Sequence, residues 1–154
     1  DSRKVIRQQQ SLLYGLPVLK DDLNGNYTLT EYDALHRVIR ETVAPDVAEY
    51  RATRNYRYTL TALDGQQASQ EVEDAKGLIT RTRLDGIGRS VYEEQQYAID
   101  GTQAAQFRQT YAAEYDALGN VTRRVEDAGT ATARATEYAY DSRHRLSFSA
   151  ELAF

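Results

Sequence analysis

The sequence predicts an all-β fold, an antiparallel meander of about ten short strands joined as hairpins. Three observations predict it. One eight-residue turn unit recurs along the chain. The residues flanking it alternate or are rich in Tyr and Thr. A thick aliphatic core is ruled out, because Leu, Ile, Val and Phe make up only 31 of the 154 residues, 20 %. That fraction sits where a chain barely buries enough apolar surface to offset its ordering entropy. The 12 Tyr residues fill part of the gap, since Tyr buries a large ring while its hydroxyl stays hydrogen-bonded.

The turn unit begins with Asp, continues with two arbitrary residues and then Gly or His, and ends in a β-leaning run. Copies start at Asp22, Asp33, Asp74, Asp85, Asp116 and Asp141, with spacings of 11, 41, 11, 31 and 25 residues. The spacing is too irregular for a solenoid period. Asp at the first position bonds its side chain to backbone N–H groups further on and favours a type I bend. The fourth residue then needs positive φ, which Gly adopts without a Cβ clash. This places Gly25, Gly77, Gly88 and Gly119 at the turning point, with His36 and His144 taking the same place in two copies. His is among the non-Gly residues most tolerant of that region.

Between the turns the elements follow in order. After Tyr14-Gly15-Leu16-Pro17-Val18-Leu19 comes the Asp22 turn, and 11 residues later the Asp33 turn, with room for a strand and none for a helix. Arg51 to Ala62 is rich in Tyr and Thr and reads as strand. From Leu78 to Leu84, Leu and Thr share one face and Ile79, Arg81 and Arg83 the other. Gln103 to Glu114 has some helical propensity through Ala and Gln, but Thr110, Tyr111 and the Tyr-Asp turn that follows favour strand. Tyr138 and Tyr140 share a face. Leu146, Phe148, Ala150, Leu152 and Phe154 alternate up to the last residue, which reads as a strand of a longer chain. Pro17 and Pro45 suit strand ends.

Composition excludes several classes of chemistry. A net charge of −4 gives no basic face for nucleic acid. No stretch reaches the ~20 apolar residues of a membrane-spanning helix, and the opening residues show no secretory-signal pattern. With no Cys and two His, a disulfide framework, a thiolate or His-rich zinc site and a Cys nucleophile all fall away. The repeated Asp residues could serve as paired acids, but each stands where turn chemistry already calls for Asp. Asp21-Asp22 and Glu93-Glu94 read as solvated charges, because adjacent strand residues face opposite ways. There is no Gly-x-Ser-x-Gly elbow for His36 or His144 to serve, and no Asp-x-Asp-x-Asp spacing for Ca²⁺. The expectation is therefore a chain with no catalytic residue, metal or cofactor. Its Tyr residues either stack as cross-strand pairs worth ~0.2–1 kcal/mol each or form an exposed platform for carbohydrate.

Tyr32-Asp33-Ala34-Leu35-His36-Arg37-Val38, Tyr115-Asp116-Ala117-Leu118-Gly119-Asn120-Val121 and Tyr140-Asp141-Ser142-Arg143-His144-Arg145-Leu146 resemble the Rhs or YD repeats of bacterial polymorphic toxins, insecticidal toxin complexes and teneurins. Asp85-Gly86-Ile87-Gly88-Arg89 keeps Asp, Gly and Arg, with Leu84 in place of Tyr. The resemblance covers about residues 14 to 150, clearest from 22 onward, in a chain read as one segment over 1–154. It implies a curved, spiralling sheet that forms part of a cocoon around a C-terminal toxin polypeptide. No match to the family's self-cleavage segment occurs in this chain. The resemblance further implies a non-enzymatic wall, secreted or at the cell surface through signals outside this sequence. Its partners would be the rest of its parent chain and the enclosed toxin. The alternative is a carbohydrate-binding β-module using exposed Tyr. Edge strands of such a segment would invite edge-to-edge pairing with a second copy.

Overall fold

A computed structural model describes residues 7–21, 25–60, 66–98 and 106–153. The fold is all-β as expected, with twelve strands where about ten were expected. They are β1 Gln8–Gln10, β2 Pro17–Asp21, β3 Tyr27–Tyr32, β4 Val38–Val43, β5 Ala52–Thr59, β6 Ser69–Glu73, β7 Ile79–Leu84, β8 Ser90–Ala98, β9 Gln106–Tyr115, β10 Val121–Glu126, β11 Arg134–Tyr140 and β12 Leu146–Ala153. Each strand pairs with its neighbours in sequence, in one sheet of order β1 to β12. The three-Gln strand β1 escapes a sequence reading because Gln has no preference for strands.

The chain divides into two compact units, residues 1–57 with 72–77 and residues 58–71 with 78–154. In the first unit Thr42 is the one buried residue among those described, its hydroxyl 3.3 Å from that of Thr53 across the β4–β5 pair. Polar side chains continue along the same row. Arg40 faces Glu31 at 3.4 Å and donates through Nε to Asn55 at 3.1 Å, and the Asn55 amide reaches Glu73 at 3.5 Å.

The second unit carries the small apolar core, formed by Val125, Ala128 and Ala135 with Ala112 against them. Register explains it: Ala112 lies opposite Val125, Val125 opposite Ala135, and Ala135 opposite Leu152, so four adjacent strands contribute to one row. Elsewhere in this unit charge takes the place of aliphatic packing. Glu94 is buried, with Arg81 Nη1 at 2.6 Å and Arg83 Nη2 at 3.7 Å. Arg81 also meets Glu71 at 2.7 Å and lies over the Phe107 ring at 4.8 Å. This corrects the reading of Glu93-Glu94 as solvated. The two carboxylates do face opposite ways, but Glu94 is enclosed by arginines, and Glu93 accepts the Thr110 hydroxyl at 2.9 Å. An Arg guanidinium both neutralises a carboxylate and covers it with apolar stem, which is how a Leu-poor strand face closes.

Candidate functional site

The turn units are the feature that recurs with conserved geometry along this chain, and four of them are built alike. In each, Oδ1 of the Asp accepts two backbone N–H groups. For Asp33 these come from Leu35 and Arg37, both 2.9 Å; for Asp85 from Ile87 and Arg89, 3.0 and 2.9 Å. For Asp116 they come from Leu118 and Asn120, and for Asp141 from Arg143 and Arg145, all at 2.9 Å. Oδ2 meanwhile takes a side-chain donor four residues on: Arg37 at 2.8 Å, Arg89 at 2.6 Å, Asn120 at 2.8 Å and Arg145 at 2.8 Å. The carboxyls are held below the usual Asp range as a result. The leading cause is the backbone N–H of Arg37, Arg89 or Arg145 at three of them and the Asn120 side chain at Asp116.

The turning residue is left-handed in every unit, with φ of 61° at His36, 86° at Gly88, 92° at Gly119 and 59° at His144. At Gly119 space adds to backbone conformation, since a Cβ there would lie 3.3 Å from Arg89 Nη1. His36 offsets its positive φ by packing its ring 4.9 Å from Tyr14, which in turn meets Tyr32 edge-on at 5.7 Å.

A β-bulge completes the unit at the same place each time. Tyr32 faces Val38 and Glu31 faces Arg40, leaving Ile39 extra. Leu84 faces Ser90 and Arg83 faces Tyr92, leaving Val91. Tyr115 faces Val121 and Glu114 faces Arg123, leaving Thr122. Tyr140 faces Leu146 and Ala139 faces Phe148, leaving Ser147. A bulge re-aims the side chains on either side of it. The expected single apolar face of Leu146, Phe148, Ala150 and Leu152 is therefore corrected: Leu146 pairs on the Tyr140 side and leaves the other three.

The Tyr before the Asp has a further role. Strand pairing between β8 and β9 stops at Tyr92, and between β10 and β11 at Arg123, leaving the carbonyls of Ser90 and Val121 past the ladder end. Tyr115 donates its hydroxyl to Ser90 O and Tyr140 to Val121 O, both at 2.9 Å. Both acceptors stand five residues after the Asp of the preceding unit of this kind. Tyr32 does the same for Pro17 O at 2.8 Å, beyond the end of the β2–β3 ladder. Arg89 stacks over the Tyr115 ring at 4.2 Å, tying the Asp85 turn to the Asp116 turn.

The six sequence copies thus separate. The four complete units follow the odd-numbered strands β3, β7, β9 and β11. Asp74 follows β6; its Oδ1 accepts Lys76 N at 2.8 Å and Gly77 N bonds its carbonyl at 2.9 Å. Leu78, four residues after Asp74, has no side-chain donor to offer. Gly25 has φ 83°, while Asp22 lies outside the described residues. Sequence reasoning located the five Asp turns that lie within the described residues, but not the turns at residues 44–50 and 127–133, and it missed the bulge and the Tyr cap, for which the Tyr before three of the four Asp residues was the available signal.

Both oxygens of each of these Asp carboxylates are thus engaged within its own turn. Among the described residues no group of three or more His, Asp or Glu could hold a metal ion. No protein-family model matches the chain, and no curated protein is significantly similar to it.

Proposed function

We propose that the chain is a wall segment of an Rhs/YD-repeat shell, a structural sheet that encloses a toxin polypeptide and carries no chemistry of its own. The observation that carries this reading is the interlocked unit: an Asp turn, a bulge six residues later and, at Tyr115 and Tyr140, a hydroxyl that caps the preceding unit. Such a unit adds strands one after another without a thick core, which is what a wall needs. The strand faces, with mixed Thr, Arg, Tyr and Ala, would hold a partly unfolded cargo without a tight apolar grip. Proteolysis of the parent protein, with and without this segment, tests it: deletion is expected to expose the cargo to cleavage. A cargo that stays protected after deletion overturns the reading.

The carbohydrate alternative loses several candidate rings to other roles. Tyr32, Tyr115 and Tyr140 are engaged as caps, the Tyr56 hydroxyl donates to Glu41 at 2.6 Å, and Tyr92 lies under Arg83.

A further inference from the structure

We propose that the first unit carries a binding groove for a carboxylate group, with Arg51 as its anchor; the site stands whether or not the sheet encloses a cargo. Strands β3 to β5 in the first unit and β9 to β11 in the second are built alike. Counted from their turn Asp residues, Arg40 corresponds to Arg123 and Thr42 to Val125. Arg40 faces Glu31 and Asn55, as Arg123 faces Glu114 and Glu137. Arg40 lies 3.4 Å from Glu31, and Arg123 3.3 Å from Glu114. The next row differs in chemistry. In the second unit it is Ala112, Val125 and Ala135, and Ala128 of the following loop is buried against it. In the first unit the row is Leu29, Thr42 and Thr53, and Pro45, the counterpart of Ala128, is half-buried. There the two rows floor an open groove of about 450 Å³, a size that suits a small ligand.

The loops beside the two rows differ by one residue. Both begin left-handed, with Ala44 at φ 49° and Asp127 at φ 50°. Val47 N then bonds Ala44 O and Tyr50 N bonds Val47 O, just as Thr130 N bonds Asp127 O and Ala133 N bonds Thr130 O. Pairing resumes with Ala52 opposite Val43 and with Arg134 opposite Glu126. Arg51 is therefore an extra residue, with no counterpart in the second unit. Its Nε donates to Pro45 O at 3.1 Å, and its side chain lines the groove. Among the described residues it makes no ion pair. Tying Nε to a backbone carbonyl holds the guanidinium in place and leaves its two Nη groups, a planar fork that matches a carboxylate. Glu31 on the same floor repels a dianion such as phosphate, which favours a singly charged group.

Titrating the ¹⁵N-labelled 154-residue chain with butyrate, and separately with acetyl-Ala-Glu-Ala-amide, tests the proposal by NMR. Saturable shifts at Thr42, Arg51 and Thr53 are expected with at least one of them, and none at Val125 or Ala135. The tighter of the two distinguishes a free acid from an acidic side chain of a polypeptide. Arg51 is exposed, so Arg51→Gln leaves the fold intact, and it is expected to weaken binding about 5- to 10-fold. Absent saturation with both ligands, equal binding of the Gln tripeptide or of inorganic phosphate, or unchanged affinity in Arg51→Gln overturns the assignment. So do shifts centred on the second unit.

Discussion

At the scale of single residues, the Tyr before Asp33, Asp116 and Asp141 does more than fill space. A carbonyl at the end of a strand ladder loses its partner, and leaving it unpaired costs ~1–3 kcal/mol when water is excluded. Tyr115 and Tyr140 each meet that need from one strand away, and the Tyr115 ring also lies under Arg89 of the neighbouring turn. Removing only the hydroxyl isolates the hydrogen bond from the ring packing. Tyr140→Phe and Tyr115→Phe are each expected to lower unfolding free energy by about 0.5–1.5 kcal/mol in urea denaturation. Tyr50→Phe, at an exposed loop position, is expected to stay within about 0.5 kcal/mol of the parent. Equal, negligible losses at all three positions would show that the caps contribute nothing. Leu84 marks the limit of the rule: the Asp85 unit keeps its turn and bulge without a Tyr, so the hydroxyl strengthens the unit and is not required to form it.

At the scale of the hairpin, the turn Asp residues set how the fold responds to acid. Their carboxyls lie below the ordinary Asp value of ~3.9 because backbone N–H groups and the residue four positions on bind the charged form. A folded value below the unfolded one contributes stability that is complete above the unfolded value. That stability is lost as pH falls through it toward the lower folded values. Thermal unfolding followed by circular dichroism is expected to give a constant Tm down to about pH 5 and a steep fall below about pH 4. Asp116→Asn, which keeps an acceptor but cannot titrate, is expected to make that acid limb shallower. A Tm unchanged across the acid range would show that the carboxylates do not hold the turns. These hairpins were also the most legible part of the sequence. Asp followed by Gly or His has a local mechanism, so each turn could be placed from eight residues alone. The bulge could not, because an extra residue such as Val91 or Thr122 is as good a strand former as its neighbours and changes only the register. Glu94 was misread for a related reason: its enclosure depends on Arg81 and Arg83 across a strand pair and on Glu71 beyond it, and adjacency in sequence carries no trace of those partners.

At the scale of the molecule, the pairing of each strand with its chain neighbours gives the stability of a sum of local interfaces, and those interfaces are unequal. The second unit holds Ala135 at 0 % exposure with Val125, Ala128 and Ala113 buried, and encloses Glu94 among arginines. The first unit, among its described residues, buries only Thr42 and relies on a row of exposed or half-exposed polar pairs. Exposed ion pairs contribute ~0–1 kcal/mol each, whereas burial of apolar surface contributes ~25 cal/mol per Å², so the second unit has more to hold it. Local opening follows few buried contacts and exposed backbone hydrogen bonds. Native-state hydrogen exchange is therefore expected to release the amides of β2 to β4 at lower denaturant than those of β9 to β11. Ala135→Leu, which forces three methyl-sized carbons into the row shared by Ala112, Val125 and Leu152, is expected to cost about 1–3 kcal/mol and to raise exchange in β9 to β11 while leaving β2 to β4 near their original rates. If the substitution instead accelerates exchange equally in both units, or if all strands open together in the parent chain, the sheet unfolds as one cooperative body and the additive picture fails.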